Sequence, residues 1–404
     1  MYPSVYNVGK FVSAKDFSAQ RLSAAGWVHY PHVRQAILYG GNPSFIPPLH
    51  IEVCVTYKCN FNCSWCNCAL SRRKYDLLHD TINKNELTLI IKKCVDHQIG
   101  IQWTGGEPLI NQDFISIFAD PITTKLSHCL FTNGSLISSE IANKLMQSNL
   151  KFIRISLNAS SPSVHQLFHG LKSIDLSYKA LEGIKNLCLS HSRHLNSPKV
   201  GISIVLDSRN INDFESTLNY IYSLVKDYPR GLDFIVIRAI NDDFKGTLFI
   251  KDQSFAKQYN DIKNHIIIKK LIELGIEIAF PDENKIPYIE GDISFGCSLF
   301  QEISPNGDLF LCSDQYGNKD YCIGNIFKSD FEEIWNSQQR KNTIRQNTDC
   351  FRCGKCPHHS RGFYFNSIIN QAREMIKSGN SSILLEWIDS LQKCIPDYGH
   401  SFFI

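Results

Sequence analysis

The chain has little net charge and no long apolar run, and each shortage removes a class of function. Its 42 basic and 39 acidic residues leave a net charge of only +3 over 404 residues. That is too small a field to require nucleic acid or an anionic membrane as partner. No uninterrupted apolar stretch approaches the length that spans a bilayer. Residues 1–16 lack the apolar centre of a signal peptide. No internal repeat or low-complexity segment is visible. Cysteine, by contrast, is abundant at 15 residues. In a chain without export signals this points to the reducing cytoplasm and to metal ligation rather than disulfides. An apolar fraction of 43% supports an ordinary core, and 404 residues fit one large and one small domain.

Three of the cysteines crowd one short loop, Cys59-Asn60-Phe61-Asn62-Cys63-Ser64-Trp65-Cys66. A cube of four irons and four sulfides takes one outside ligand per iron, usually four thiolates. A C-x3-C-x2-C loop supplies three, so one iron stays open for a non-protein ligand, and an open coordination position marks a reactive metal. A zinc knuckle or a set of buried thiols is the plainer alternative. The surroundings favour the cube. An apolar run, Leu49 to Val55, leads into the loop and places it at the carboxyl end of a strand, where α/β sites form. Trp65 offers a flat face on which a base can stack. Gly105-Gly106-Glu107-Pro108 follows directly on a second strand, Ile101 to Thr104.

With both motifs in place, the chain resembles the radical S-adenosylmethionine (radical SAM) enzymes, whose cluster loop has this spacing and whose second strand ends in Gly-Gly-Glu-Pro. The resemblance implies that S-adenosylmethionine chelates the open iron through its amino and carboxylate groups. An electron from the cluster then yields a 5′-deoxyadenosyl radical that abstracts hydrogen from a substrate. It implies Cys59, Cys63 and Cys66 as cluster ligands, and Gly105, Gly106, Glu107 and Pro108 as the segment holding the methionyl amino group. Ser156 and Asn158, at the end of the fourth strand, match positions that the family uses for the ribose, with Asn in place of the usual Asp. Arg238, at the end of the sixth strand, suits the methionyl carboxylate as a planar partner, or is a solvated strand-end Arg. Thr132-Asn133-Gly134 is a string common in the family that also reads as a simple turn. A reducing partner such as flavodoxin or ferredoxin is implied as electron donor.

Between Leu49 and Phe280 apolar strands alternate with amphipathic helices. The strands are expected at Leu49–Val55, Ile101–Thr104, Ser127–Phe131, Phe152–Leu157, Val200–Leu206, Asp233–Arg238 and Ile276–Phe280. After the cluster loop, Asn85 is expected to cap a helix that carries Leu87, Ile90, Ile91, Cys94 and Val95 on one face and is stopped by Gly100. Alternating β and α elements imply a parallel sheet. Periodicity does not separate a doubly wound sheet from a barrel. The resemblance selects an α/β fold with a partial (β/α)6 TIM-like barrel, open on one side.

Beyond Phe280 strands shorten and cysteines return after a gap from Cys188 to Cys297. Asn306-Gly307 between two short apolar runs signals a β-hairpin that brings Cys297 and Cys312 together. Cys350, Cys353 and Cys356 follow. This segment resembles the twitch or SPASM extension of radical SAM enzymes. The resemblance implies one auxiliary [4Fe–4S] cluster on Cys297, Cys312 and two of the last three cysteines. A zinc site with four thiolates is the alternative. The expected domains are a flank (1–48), the barrel (49–285), a small α+β auxiliary-cluster domain (286–362) and a helical flank (363–404). Cys54, Cys68, Cys94, Cys129, Cys188, Cys322 and Cys394 are read as small buried hydrophobes, with Cys68 a possible hydrogen-atom donor.

The expected function is a radical SAM oxidoreductase whose auxiliary cluster accepts the electron that a substrate radical must shed. The substrate is a small molecule such as a sugar or aminocyclitol, or a residue of a ribosomal peptide. The 58 residues before the loop do not read as a winged peptide-recognition domain, which tilts the expectation toward a small molecule. A non-catalytic iron–sulfur or zinc protein is the rival, and Gly105–Pro108 argues against it.

Overall fold

The computed structural model of the chain describes residues 31–38, 48, 50–66, 68, 79–240, 253–280, 300–311, 317–347 and 372–392. Cys297, Cys312, Cys350, Cys353, Cys356 and Cys394 lie outside them.

A short helix, Pro31–Leu38 (α1), precedes the sheet. Strands β1 (His50–Cys54), β2 (Gly100–Thr104), β3 (His128–Thr132), β4 (Phe152–Ser156), β5 (Lys199–Leu206), β6 (Phe234–Ala239) and β7 (Glu277–Ala279) then follow. Each pairs in parallel with the next. Helices fill the crossovers: α2 (Lys84–Asp96), α3 (Gln112–Ile117), α4 (Ser139–Met146), α5 (Pro162–His169) and α6 (Asp175–Arg193) serve the first half. α7 (Phe214–Asp227), α8 (Gln253–Ile262) and α9 (Ile266–Glu273) serve the second. Strand order therefore equals chain order from β1 to β7. A doubly wound sheet reverses its order at a switch point, and none occurs here. The sheet is an open, unclosed barrel of six β/α units with a seventh strand, as the resemblance implied.

The two faces of the sheet differ as a period of two demands. One face carries Ile51, Val53, Ile101, Trp103, Leu130, Ile153, Ile155, Ile202, Ile204, Ile235 and Ile237 into the main core. Leu87, Ile90, Ile91 and Cys94 of α2, and Leu218, Ile221, Leu224 and Val225 of α7, pack into the same core. The alternate positions include Glu52, Gln102, Arg154, Ser156, Ser203 and Arg238. Phe131, Phe152 and Phe234 pack ring against ring on the same face, which is the interior of the open barrel.

The expected hairpin forms from β8 (Phe300–Ile303) and β9 (Asp308–Phe310), antiparallel, with Gly307 at φ +84°. Asn325 of β10 (Cys322–Asn325) donates to both the Asn306 carbonyl and the Asp308 carboxylate and holds that turn. The hairpin is not set apart from the barrel. β8 lies parallel to β1, with Ile51 opposite Gln301 and Val53 opposite Ile303, so one ten-stranded sheet runs through both regions. Beyond β10, α10 (Phe331–Asn336) and α11 (Gln338–Asn347) pack on the hairpin side, and α12 (Ser381–Gln392) touches α1.

Two local expectations need correction. Asn83, not Asn85, caps α2: its side chain accepts from the backbone of Asn85 and Glu86, and Glu86 reaches back to the Asn83 N–H. The reciprocal pairing of a capping box explains the choice, because only position 83 has a Glu three residues later. The helix also ends before Gly100. Its last residue is Asp96, and Gln98 turns the chain at φ +57°, leaving Gly100 to open β2.

Candidate active site

The cluster loop leaves β1 at its carboxyl end and is fastened from two sides. The first fastening comes from the β2 end. Val55 N–H donates to Thr104 O, Gly106 N–H to Thr56 O at 2.7 Å, and Glu107 N–H to Lys58 O at 2.8 Å. The β1–β2 ladder thus continues past both strands until one residue before Cys59. Only glycine fits there. A Cβ on Gly105, at φ +134°, would lie 2.6 Å from Thr56 O, and one on Gly106 would lie 2.1 Å from Lys58 O. The close approach that the glycines permit is to the cluster loop itself.

Glu107 anchors this arrangement. It is 1% exposed. Its carboxylate accepts from Thr132 Oγ1 (2.7 Å), Asn133 N–H (2.7 Å) and Leu109 N–H (3.1 Å). Burial pushes its pKa up to about 7, while the Asn133, Thr132 and Leu109 hydrogen bonds pull the other way. Asn133 passes the link on: its Nδ2 donates to Asn60 Oδ1 at 2.9 Å, and Asn60 Nδ2 donates to Ser135 Oγ at 2.8 Å. Ser135 closes the circuit with an O–H bond to Asn133 Oδ1. Thr132-Asn133-Gly134 is therefore more than a turn, since it connects Glu107 to the residue after Cys59.

The second fastening comes from the end of α5. Pro162 opens this helix, and Gly170, in the left-handed conformation at φ +58°, ends it. The chain end so exposed lies against the loop. Asn62 N–H donates to His169 O at 3.1 Å, and a Cβ on Gly170 would come within 2.6 Å of Asn62 O. The His169 ring sits with Nδ1 3.0 Å from Cys63 Sγ and Nε2 3.2 Å from Asn158 Nδ2. Phe61, His165 and Phe168 pack around that ring, at centroid distances of 5.0, 4.3 and 5.5 Å. Burial, with His165 and Arg209 nearby, holds the His169 pKa well below the ordinary histidine range. Trp65 lies against Phe168 at 5.4 Å. Arg209, after β5, stands over Phe168 and donates to Ser64 Oγ at 3.2 Å, while Asp207 holds its guanidinium.

Ser156, half-buried, closes β4 opposite Ser203, and Arg238, also half-buried, stands opposite Val205 on the same interior face. Asn158 lies beyond the β4 end, 1% exposed, and its carboxamide engages Val205 and His169. Cys59, Cys63 and Cys66 are half-exposed thiols. Among the described residues no three metal-ligating side chains converge on one point. The three thiols of this one loop fit a cube, which binds each thiolate on a different iron. Cys54, Cys94, Cys129 and Cys188 are buried as expected, but Cys68 and Cys322 are only half-buried. The neighbouring Cys54 thiol holds the Cys68 pKa well above the ordinary thiol range. Sequence reasoning missed Asn60, His169 and Arg209. The one available signal was the His165–His169 pair, one helical turn apart and ending at a glycine.

The radical SAM superfamily model matches residues 53–221, and the model of the SPASM iron–sulfur cluster-binding domain matches residues 297–357. The chain belongs to the radical SAM superfamily and carries a SPASM domain. The first match spans the cysteine loop, Gly105–Pro108 and His169, and the second runs from Cys297 past Cys356. Its cofactors are accordingly a [4Fe–4S] cluster, S-adenosylmethionine and auxiliary iron–sulfur.

Among its relatives, a probable GTP 3′,8-cyclase of Sulfurisphaera tokodaii is 26% identical over 290 residues, covering 70% of this chain and 86% of that one. The mycofactocin maturase MftC of Mycolicibacterium smegmatis is 23% identical over 322 residues, 75% of this chain and 74% of its own. In fold, the radical SAM chain is similar to SuiB of Streptococcus suis bound to its precursor peptide SuiA. The TM-score is 0.56 at 17% identity, over 80% of this chain and 73% of SuiB. Among the described residues no helix is long and apolar enough to cross a membrane.

Proposed function

We propose that this radical SAM enzyme oxidises a residue of a peptide substrate by hydrogen abstraction, with its SPASM domain taking up the second electron. When bound, the cluster and S-adenosylmethionine supply a 5′-deoxyadenosyl radical, and auxiliary iron–sulfur accepts the electron that a substrate radical must shed. The observation that carries the reading is the double fastening of the Cys59–Cys66 loop, by the Gly105–Glu107 backbone and by the end of α5.

In this reading Cys59, Cys63 and Cys66 hold the cluster, and Gly105–Pro108 receives the methionyl amino group. Trp65, Ser156 and Arg238 face the adenosyl and carboxylate parts. Cys297 and Cys312, with two of Cys350, Cys353 and Cys356, hold one auxiliary [4Fe–4S] cluster. Ser203 and Arg154 share the interior face and orient the substrate. The fold relative bound to its precursor peptide supports a peptide over the small molecule that the sequence favoured. A small molecule is the second reading, supported by the cyclase. We place the enzyme in the cytoplasm, reduced by a flavodoxin or ferredoxin.

The test is direct. Anaerobically reconstituted, chemically reduced protein is mixed with S-adenosylmethionine, and 5′-deoxyadenosine is measured by mass spectrometry. Product above the unreduced control is expected. Its absence from a preparation with full iron content would leave the non-catalytic carrier as the better account.

A further inference from the structure

We propose that His169 is a positioning residue for the cluster, donating an Nδ1–H hydrogen bond to the Cys63 sulfur in a tautomer imposed by Asn158. The inference rests on the reading of Cys63 as a cluster ligand.

The hydrogen-bond network settles the tautomer step by step. Val205 N–H donates to Asn158 Oδ1 at 2.7 Å, which fixes the acceptor end of the carboxamide. Asn158 Nδ2, 3.2 Å from His169 Nε2, is then a donor facing that nitrogen. A neutral imidazole has one donor and one acceptor nitrogen, so Nε2 accepts and Nδ1 carries the proton. Nδ1 lies 3.0 Å from Cys63 Sγ, and a thiolate there can only accept. The backbone leaves Asn158 little freedom to turn: Asn210 Nδ2 donates to its carbonyl at 2.8 Å. The ring is equally confined, at 1% exposure.

Two consequences follow for a bound cluster. Neither ring nitrogen has a lone pair free for iron, so His169 does not close the open coordination position. A dry N–H···S bond also stabilises the more negative, reduced state and so raises the reduction potential. The arrangement follows the rule that partners behind the ligands orient and tune a metal site.

The test is a redox titration of the reconstituted holoprotein, followed by electron paramagnetic resonance. The Cys59/Cys63/Cys66 triple alanine variant supplies the signal of the C-terminal domain for subtraction. His169→Phe keeps a ring without the donor, and Asn158→Leu keeps bulk without the amide. Each should make the barrel cluster harder to reduce. We expect about a tenfold change in the one-electron equilibrium for His169→Phe, equivalent to ~59 mV, and less for Asn158→Leu. Phe168→Leu loosens the same packing without touching a hydrogen bond and should leave the potential in place. In parallel, 15N-histidine NMR of the metal-free chain should show His169 protonated at Nδ1, and Asn158→Leu should abolish that preference.

Wild-type potentials in both donor-free variants, or an equal shift in Phe168→Leu, would overturn the proposal. If His169→Phe fails to fold, Asn158→Leu and the NMR tautomer decide. A wild-type protein that assembles no cluster on this loop refutes the functional reading instead, and the NMR result then stands by itself.

Discussion

The Glu107 carboxylate accepts the Asn133 backbone N–H at 2.7 Å, and the Asn133 side chain in turn holds Asn60, the residue after Cys59. Two adjoining strand ends are thereby tied to the cysteine loop through a single buried acid. The Gly-Gly-Glu-Pro segment thus has a structural task before any ligand arrives.

Loss of the loop thiols should end the chemistry and spare the other domain. Cys59→Ala, Cys63→Ala and Cys66→Ala are each expected to abolish 5′-deoxyadenosine formation. With one auxiliary cluster, iron analysis should give about eight irons per wild-type chain and about four in the triple variant. Zinc in the C-terminal domain, with about four irons per wild-type chain, would replace the auxiliary cluster by a structural site.

Gly106→Ala should disturb the cluster loop, whereas Gly275→Ala should not. A Cβ at 106 meets the Lys58 carbonyl at 2.1 Å and must push the cluster loop away, costing roughly 1–3 kcal/mol as overpacking does. At Gly275, φ +87°, nothing lies within 4 Å, so only the left-handed backbone penalty of roughly 1–2 kcal/mol applies. Denaturant melts measure both. Iron retention should fall only for Gly106→Ala.

Glu107 makes a pH prediction with a definite sign. Its folded pKa, about 7, exceeds the unfolded 4.5, so the native state binds the extra proton between those values. The stability contributed by Glu107 therefore falls as pH rises from about 4.5 to about 7 and is level above that. Melting temperatures of metal-free wild type and Glu107→Gln, compared across this range, should show the wild type losing ground to the variant as pH rises. A difference independent of pH would contradict the shift.

Cys312→Ala should separate the two halves of the reaction. With the auxiliary centre as electron acceptor, 5′-deoxyadenosine formation persists while substrate turnover stops. A circular dichroism melt must accompany the assay, because a lost metal site also removes folding free energy. A folded variant that turns over substrate at the wild-type rate refutes the acceptor role.

Much of this was legible in the chain. Each of the seven expected strands overlaps an observed one, because buried parallel strands read as apolar runs between turn residues. The cysteine and glycine motifs stood out because their spacing is set by local backbone. The links from Asn133 to Asn60 and from His169 to Cys63 cross 73 and 106 residues. Nothing in local periodicity carries such pairings. Asn158 shows the limit most clearly: its position at a strand end suggested a ribose contact, while its partners, Val205 and His169, emerge only once β5 and α5 are packed.

Placing β8 beside β1 has a consequence for how the chain is made. β1 ends at Cys54, yet its outer neighbour begins only at Phe300. Until then one edge of the nascent sheet shows unpaired backbone N–H and C=O groups, an invitation to pair with another chain. Closure over so long a sequence separation is also slow. A barrel cut before residue 300 would keep that edge permanently, so the C-terminal hairpin acts as the barrel's own edge guard as well as part of a cluster domain.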